Sequence, residues 1–206
     1  MKKVLFIGAH CDDIELGCGA TINKHRDEWD MQAVTMCRRG KEGFPTNGLQ
    51  NLWETSRKSL ASLGIEKVWY HDFPICEQYK QRQEVWLQLR TFNEIHRPDI
   101  VFTHTHDEAR DHQVVHDESI RTFEQATIYC YSPSITIDPS FIPDVFEPVS
   151  EDDLDAKIKA LHHYEPYREK IYFQDYVIKA QATMVGVNSR TRYAEGFQLH
   201  RKMGFS

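Results

Sequence analysis

A chain of 206 residues, 40% hydrophobic and 27% charged, has the balance of an ordinary soluble globular protein and the length to bury a core without cross-links. The formal net charge of -6 excludes a general phosphate-backbone binder, which needs a basic stripe, so no nucleic-acid partner is expected. Five cysteines, odd in number and without a CxxC spacing, point to a reducing, cytoplasmic setting, and no apolar run is long enough for a signal sequence or a membrane span.

Short apolar runs alternate with longer polar–apolar segments, the signature of β/α alternation. The pattern predicts a strand over 4–9, a helix over 17–28, a strand over 32–37 and a helix over 52–63 closed by Gly64. A strand over 67–71, a helix over 81–96 stopped by Arg97-Pro98, a strand over 99–104 and a helix over 112–124 follow. The rhythm then changes. After a strand over 127–131, prolines 133, 139, 143 and 148 mark an irregular or edge-strand stretch. A helix over 151–163 capped by Ser150, a helix over 173–185 and a strand over 193–199 complete the chain. The expected fold is one α/β domain over 1–206, a Rossmann-like, mostly parallel sheet flanked by helices, with a C-terminal extension shaping the pocket.

Ligands of such sheets sit beyond the carboxyl ends of the strands, and two loops there carry unusual chemistry. The loop after the first strand reads His10-Cys11-Asp12-Asp13-Ile14-Glu15. Catalytic zinc commonly takes three protein ligands from His and carboxylates and keeps one position open. This loop offers two, and a neighbouring carboxylate is free to act as a general base. Helix capping accounts for one Asp but not for a His plus two carboxylates after a buried strand. Gly17 and Gly19 lie beyond the acidic cluster, the wrong place for a phosphate cradle.

The loop after the fourth strand reads His104-Thr105-His106-Asp107-Glu108-Ala109-Arg110-Asp111-His112. His112 and His116 share a helical face, but Gln113 stands where an HExxH motif needs its Glu. His112, at the helix start among carboxylates that can fix its tautomer, is the better metal ligand, and His116 reads as a packed histidine.

Together the two loops resemble the LmbE-like, or PIG-L, family of zinc N-deacetylases. The family's Ala-His-Pro-Asp-Asp-(x)-Glu stands here as Ala9-His10-Cys11-Asp12-Asp13-Ile14-Glu15, and its His-x-x-Asp-x-His-x-Asp-His as residues 104–112. The segment Tyr193-Ala194-Glu195-Gly196-Phe197 resembles a Tyr-Ala-Glu-x-Phe run near the end of many members. The resemblance implies that His10, Asp13 and His112 hold Zn2+, that Asp12 activates the water, and that Tyr193 and Glu195 line the pocket. It implies hydrolysis of the N-acyl amide of a small-molecule amino sugar or glycoconjugate. The family's membrane branch, acting on lipid-linked glucosamine, is set aside for want of a membrane segment. The oligomeric state is left open, a homo-oligomer included.

Two positions depart from the family pattern. Cys11 replaces Pro and reads as a small residue pointing away from the metal. Ala109 replaces the histidine that stabilises the oxyanion or protonates the leaving amine, with Asp111 as its partner. Alanine does neither. Either the position was changed deliberately, or His106 or His104 takes over, or the chain is a catalytically silent sugar- or metal-binding protein. A deformylase, or another amidohydrolase acting on a non-acetyl amide, is the remaining alternative. Arg38 and Arg39, beyond the second strand, and His104, His106 and Asp107 are the candidate substrate contacts.

Overall fold

The computed structural model describes residues 1–38, 52–133 and 141–204. One seven-stranded sheet runs in the order β3-β2-β1-β4-β5-β7-β6. Strands β1 (Lys2–Gly8), β2 (Trp29–Thr35), β3 (Lys67–Tyr70), β4 (Ile100–His104) and β5 (Thr127–Tyr131) are parallel. Two antiparallel strands, β7 (Ala194–Arg201) and β6 (Val145–Pro148), extend the sheet beyond β5. Among the described residues six α-helices cover it: α1 (Asp13–Lys24), α2 (Leu52–Leu63), α3 (Arg82–His96), α4 (Arg110–Thr122), α5 (Glu151–Leu161) and α6 (Asp175–Ser189).

The central strands read as unbroken apolar runs because both of their faces are buried. On β1, Leu5 and Ile7 pack with Val85 and Leu89 of α3 and Val114 and Val115 of α4. Val4 and Phe6, one residue out of phase, meet Ile14, Cys18 and Ile22 of α1, Leu60 and Leu63 of α2 and Ala160 of α5. A further cluster, with Leu154, Ile158, Tyr164 and Phe173, lies against Cys11 and Leu16. The C-terminal extension therefore widens the sheet and also builds a third packed layer next to the first loop. Ser150 caps α5 in a capping box with Asp153, and Pro148 ends the edge strand β6, where a missing N–H is tolerated.

The element boundaries differ from expectation at the two loops of interest. Helix α1 begins at Asp13, not Gly17, so Asp13 and Glu15 occupy its first turn, where carboxylates suit the helix dipole. Helix α4 begins at Arg110, not at 112, since the Asp107 side chain accepts the N–H of Ala109 at 2.8 Å and turns the chain early.

The glycines of α1 are notches for close packing. A Cβ on Gly17 would lie 2.1 Å from the Tyr131 ring, and one on Gly19 would lie 2.8 Å from Lys157 Cγ. These notches admit a buried ion pair. Lys157 Nζ lies 2.6 Å from Glu195 Oε1 and donates to the Leu16 carbonyl at 2.7 Å. The Glu195 carboxylate accepts the N–H groups of Ala20 (3.2 Å) and Thr21 (2.7 Å). Both ends of the Leu16–Ala20 rung of α1 thus meet the pair, which ties α1 to α5 and β7. Glu195, expected at the pocket, instead braces the helix that carries Asp13.

Removing one partner of a buried pair leaves the other uncompensated, at a cost of about 3–5 kcal/mol. Glu195→Ala should lower Tm on the order of 10 °C, at roughly 2–4 °C per kcal/mol for a chain of this size. An unchanged melting curve in differential scanning calorimetry would show that the pair carries no structural weight.

Candidate metal centre and active site

The strand order reverses at β1, with β2 and β3 on one side and β4 and β5 on the other. The crevice at such a switch point, beyond the carboxyl ends of the strands, is where open α/β sheets bind ligands. Parallel pairing of β1 with β4 delivers both loops to this one edge.

Asp13 is the hub. Its Oδ2 accepts the His10 backbone N–H at 2.7 Å and lies 3.1 Å from His104 Nε2. Its Oδ1 faces His112 Nε2 at 3.6 Å, and His10 Nδ1 lies 3.5 Å from Oδ2. One ligand-type atom from each of His10, Asp13 and His112 falls within 4.8 Å of the others, a group able to hold a metal ion. His112 Nδ1 is engaged by Asp107 Oδ2 at 2.6 Å, which leaves Nε2 turned towards Asp13. A carboxylate behind the distal nitrogen is the usual way a ligating imidazole is oriented. His104, Asp107 and His112 form an overlapping second group, but all three are buried. Only the first group includes a half-buried member, His10, and so has an opening to a substrate.

Asp12 stands at the N-cap position of α1 and makes no capping hydrogen bond, so its carboxylate is not spent on the helix. Asp111 is buried. Its Oδ2 lies 3.1 Å from His10 Nε2 and accepts the Cys76 N–H at 2.5 Å, while Oδ1 accepts the Gln78 N–H at 3.2 Å. Asp111 therefore holds an imidazole after all, that of His10. Ala109 sits half-buried at the N-cap of α4, and neither His104 nor His106 takes a place beside Asp111.

The remaining candidates are dispersed. His104 has no exposed surface; its ring stacks on His112 at 4.0 Å and its Nε2 receives the Ala9 N–H at 2.9 Å. It faces Asp13, not the opening. His106 is exposed, with its ring 5.6 Å from that of His116, and His116 Nδ1 donates to the His104 carbonyl at 2.7 Å. Arg38 pairs with Asp72 at 3.0 Å and touches none of the metal group. Arg39 lies outside the described residues. The buried Cys11 thiol donates to the Cys37 carbonyl at 3.4 Å and takes no part in the group.

The electrostatics are those of a site short of positive charge. Burial opposes protonation of His10, yet the Asp111 and Asp13 carboxylates outweigh it and hold the imidazole pKa well above its ordinary value. Burial, then the charge of Asp13, pushes Asp12 well above the usual carboxylate range. Burial would raise Asp13 too, but His112 and the bond from His10 hold it well below. Burial and His112 press His104 down to about 4, so it is neutral near pH 7.

Sequence reasoning missed Cys76 and Gln78, whose backbone N–H groups clamp Asp111, since backbone donors leave no residue-type signal. It also missed the partner of Glu15, the Tyr164 hydroxyl, which donates to Glu15 Oε1 at 2.7 Å. Burial lifts Glu15 from 4.5 to about 7. The folded state then holds a proton that the unfolded chain has lost between these pH values, so the buried carboxyl lowers stability as pH rises from about 4.5 to 7. Glu15→Gln should flatten the pH dependence of urea unfolding across that window by on the order of 3 kcal/mol. Identical pH slopes for the two proteins would refute the assignment.

Comparison with known proteins gives the family. The family model described as PIG-L, GlcNAc-PI de-N-acetylase, matches residues 5–123, more than half of the chain. A protein of Escherichia coli K12, described as the uncharacterized deacetylase YaiS, is 32% identical over 173 residues, covering 80% of this chain and 91% of its own. Among solved structures, N,N'-diacetylchitobiose deacetylase from Pyrococcus horikoshii superposes with a TM-score of 0.72 at 20% identity, over 96% of this chain and 83% of that one. The zinc-inhibited form of teicoplanin deacetylase Orf2 gives 0.79 at 13% identity, over 95% and 97%. GalB, the 4-carboxy-2-hydroxymuconate hydratase of Pseudomonas putida KT2440, gives 0.79 at 17%, over 100% and 99%. A hydratase on the same fold shows that the fold alone does not set the reaction. The family match and the curated relative do what the fold cannot: this chain belongs to the PIG-L, or LmbE-like, family of N-deacetylase hydrolases.

Proposed function

We propose that this chain, as one domain over 1–206, is a zinc-dependent hydrolase that removes the N-acetyl, or another short acyl, group from a small-molecule amino sugar or glycoconjugate. The observation that carries the reading is the His10–Asp13–His112 group with the uncapped Asp12 carboxylate at its edge. Two imidazoles and one carboxylate are a donor set of catalytic zinc, and three protein ligands leave a position open for chemistry. The residues fit on electrostatic grounds as well, because His10 is held protonated by carboxylates that a divalent cation would satisfy better. The named activities of the chitobiose and teicoplanin relatives, both deacetylases, support the choice of an N-acetylated sugar compound.

Bound zinc would supply Lewis acidity to the amide carbonyl and lower the pKa of water to near neutrality. The protein's own residues do the rest. Asp12 takes a proton from the attacking water and passes it to the nitrogen as the C–N bond breaks. Asp107 and Asp111 hold His112 and His10 in register. A free substrate and a cytoplasmic setting belong to the same reading; no helix among the described residues is long and apolar enough to cross a membrane.

The methyl group of Ala109 favours a second reading, a sugar- or metal-binding protein with little turnover. Zinc titration and a screen of N-acetyl and N-formyl amino sugars for released amine separate the two. The enzyme reading expects one zinc per chain, measurable hydrolysis, a fall of about 10²–10⁴-fold in kcat for Asp12→Asn with zinc affinity kept, and a gain in kcat for Ala109→His. Stoichiometric zinc with no hydrolysis by wild type or Ala109→His would favour the binder. Failure to bind zinc would remove the enzyme reading and leave only a sugar binder.

A further inference from the structure

Amide hydrolysis builds negative charge on the carbonyl oxygen and ends in a carboxylate. With a methyl group at position 109, any cationic side chain answering that charge has to come from another element. Lys170 lies between α5 and α6, half-buried in a wall of tyrosines. Its Nζ sits 3.3 Å from the Tyr167 ring centroid and 5.5 Å from that of Tyr172. The Tyr167 ring is near-parallel to that of Tyr164, at 6° and 6.1 Å, and the Tyr164 hydroxyl is bonded to Glu15 of α1 at 2.7 Å. The ring beneath the ammonium is thereby anchored to the helix that carries Asp13.

The ammonium is held but its hydrogens are not used. Lys157 and Lys24 each donate to a carboxylate and a carbonyl. Lys170 Nζ, among the described residues, has neither an acceptor nor an ion-pair partner. The carboxylate whose field acts on it is Asp12, and it is the lysine whose field acts on Asp12. Tyr167 and Tyr172 pack against the cluster that contains Cys11 and Leu16, which places the wall beside the loop that carries Asp12. A cation pinned over an aromatic face keeps its orientation without a hydrogen bond, so its three N–H groups are available to a ligand.

We propose that Lys170 is a substrate-contacting cation of this site, binding the oxyanion that forms at the acyl carbon and the carboxylate released from it. The proposal rests on the deacylase reading. In the step concerned, the water oxygen bonds to the acyl carbon and its proton goes to Asp12. The C–N bond then breaks with its electron pair on nitrogen, which takes the proton from Asp12, and the new acid gives its remaining proton to the amine. Lys170 keeps its own protons throughout and acts by charge and hydrogen bonding.

The test is calorimetric titration of acetate, the product carboxylate, into zinc-free and zinc-loaded protein. A hydrogen bond to a charged partner predicts about tenfold weaker acetate binding for Lys170→Gln, and binding within about threefold of wild type for Lys170→Arg. Zinc affinity and Tm should be unchanged in both variants. With an N-acetyl amino sugar that wild type hydrolyses, Lys170→Gln should lower kcat on the order of 10–100-fold with KM little moved. Acetate that binds wild type no more tightly than Lys170→Gln would overturn the proposal. If wild type hydrolyses no amide, the deacylase reading fails, and the acetate titration still decides whether Lys170 is an anion contact.

Discussion

The site depends on one buried carboxylate, that of Asp13. Left alone in an apolar interior, a carboxylate would take up a proton. Here the His10 backbone N–H and the rings of His10 and His112 converge on it and keep it charged. Those groups come from the two sides of the topological switch, so satisfying Asp13 brings the β1 and β4 loops together. The same arrangement creates an unmet demand. Asp12, Asp13, Asp107 and Asp111 crowd a space whose nearby cationic groups are histidines and the single ammonium of Lys170, and a divalent ion is the simplest partner for them.

Support for this hub reaches back into the fold. Asp107 and Asp111 steer the imidazoles from α4, and the backbone of Cys76 and Gln78 steers Asp111. Helix α1, which carries Asp13, is held by the Lys157–Glu195 pair through notches at Gly17 and Gly19. The stability of the C-terminal layer and the geometry of the metal group are linked through that one helix. The same layer supplies Tyr164, Tyr167 and Lys170, so an extension expected to shape a pocket also supplies a charge beside Asp12.

The sequence made most of this legible where residue type alone carries the physics. Short unbroken apolar runs located the central strands, and a His with two Asp after a buried strand located the site. Gly64 and Ser150 marked helix ends because each has a local reason to be there. What it could not disclose was partnership over long separation. Glu195 looked like a pocket residue, but whether a carboxylate faces solvent or a lysine 38 positions away is set by packing. His104 and His112 are similar in sequence context, yet one is sealed behind Asp13 and the other is turned towards the group. Ala109 suggested an orphaned Asp111, and the structure gives that carboxylate to His10 instead. Helix α1 began earlier than expected because burial of Asp13 and Glu15 draws acidic residues into a first turn that polarity alone would leave as loop.

The central claim is the identity of the metal ligands. Crystals grown with zinc and measured on both sides of the zinc absorption edge test it directly. The account predicts one anomalous peak bounded by His10, Asp13 and His112, with Asp12 beside it and unligated. A peak among His104, Asp107 and His112, or no peak at this edge of the sheet, would contradict it.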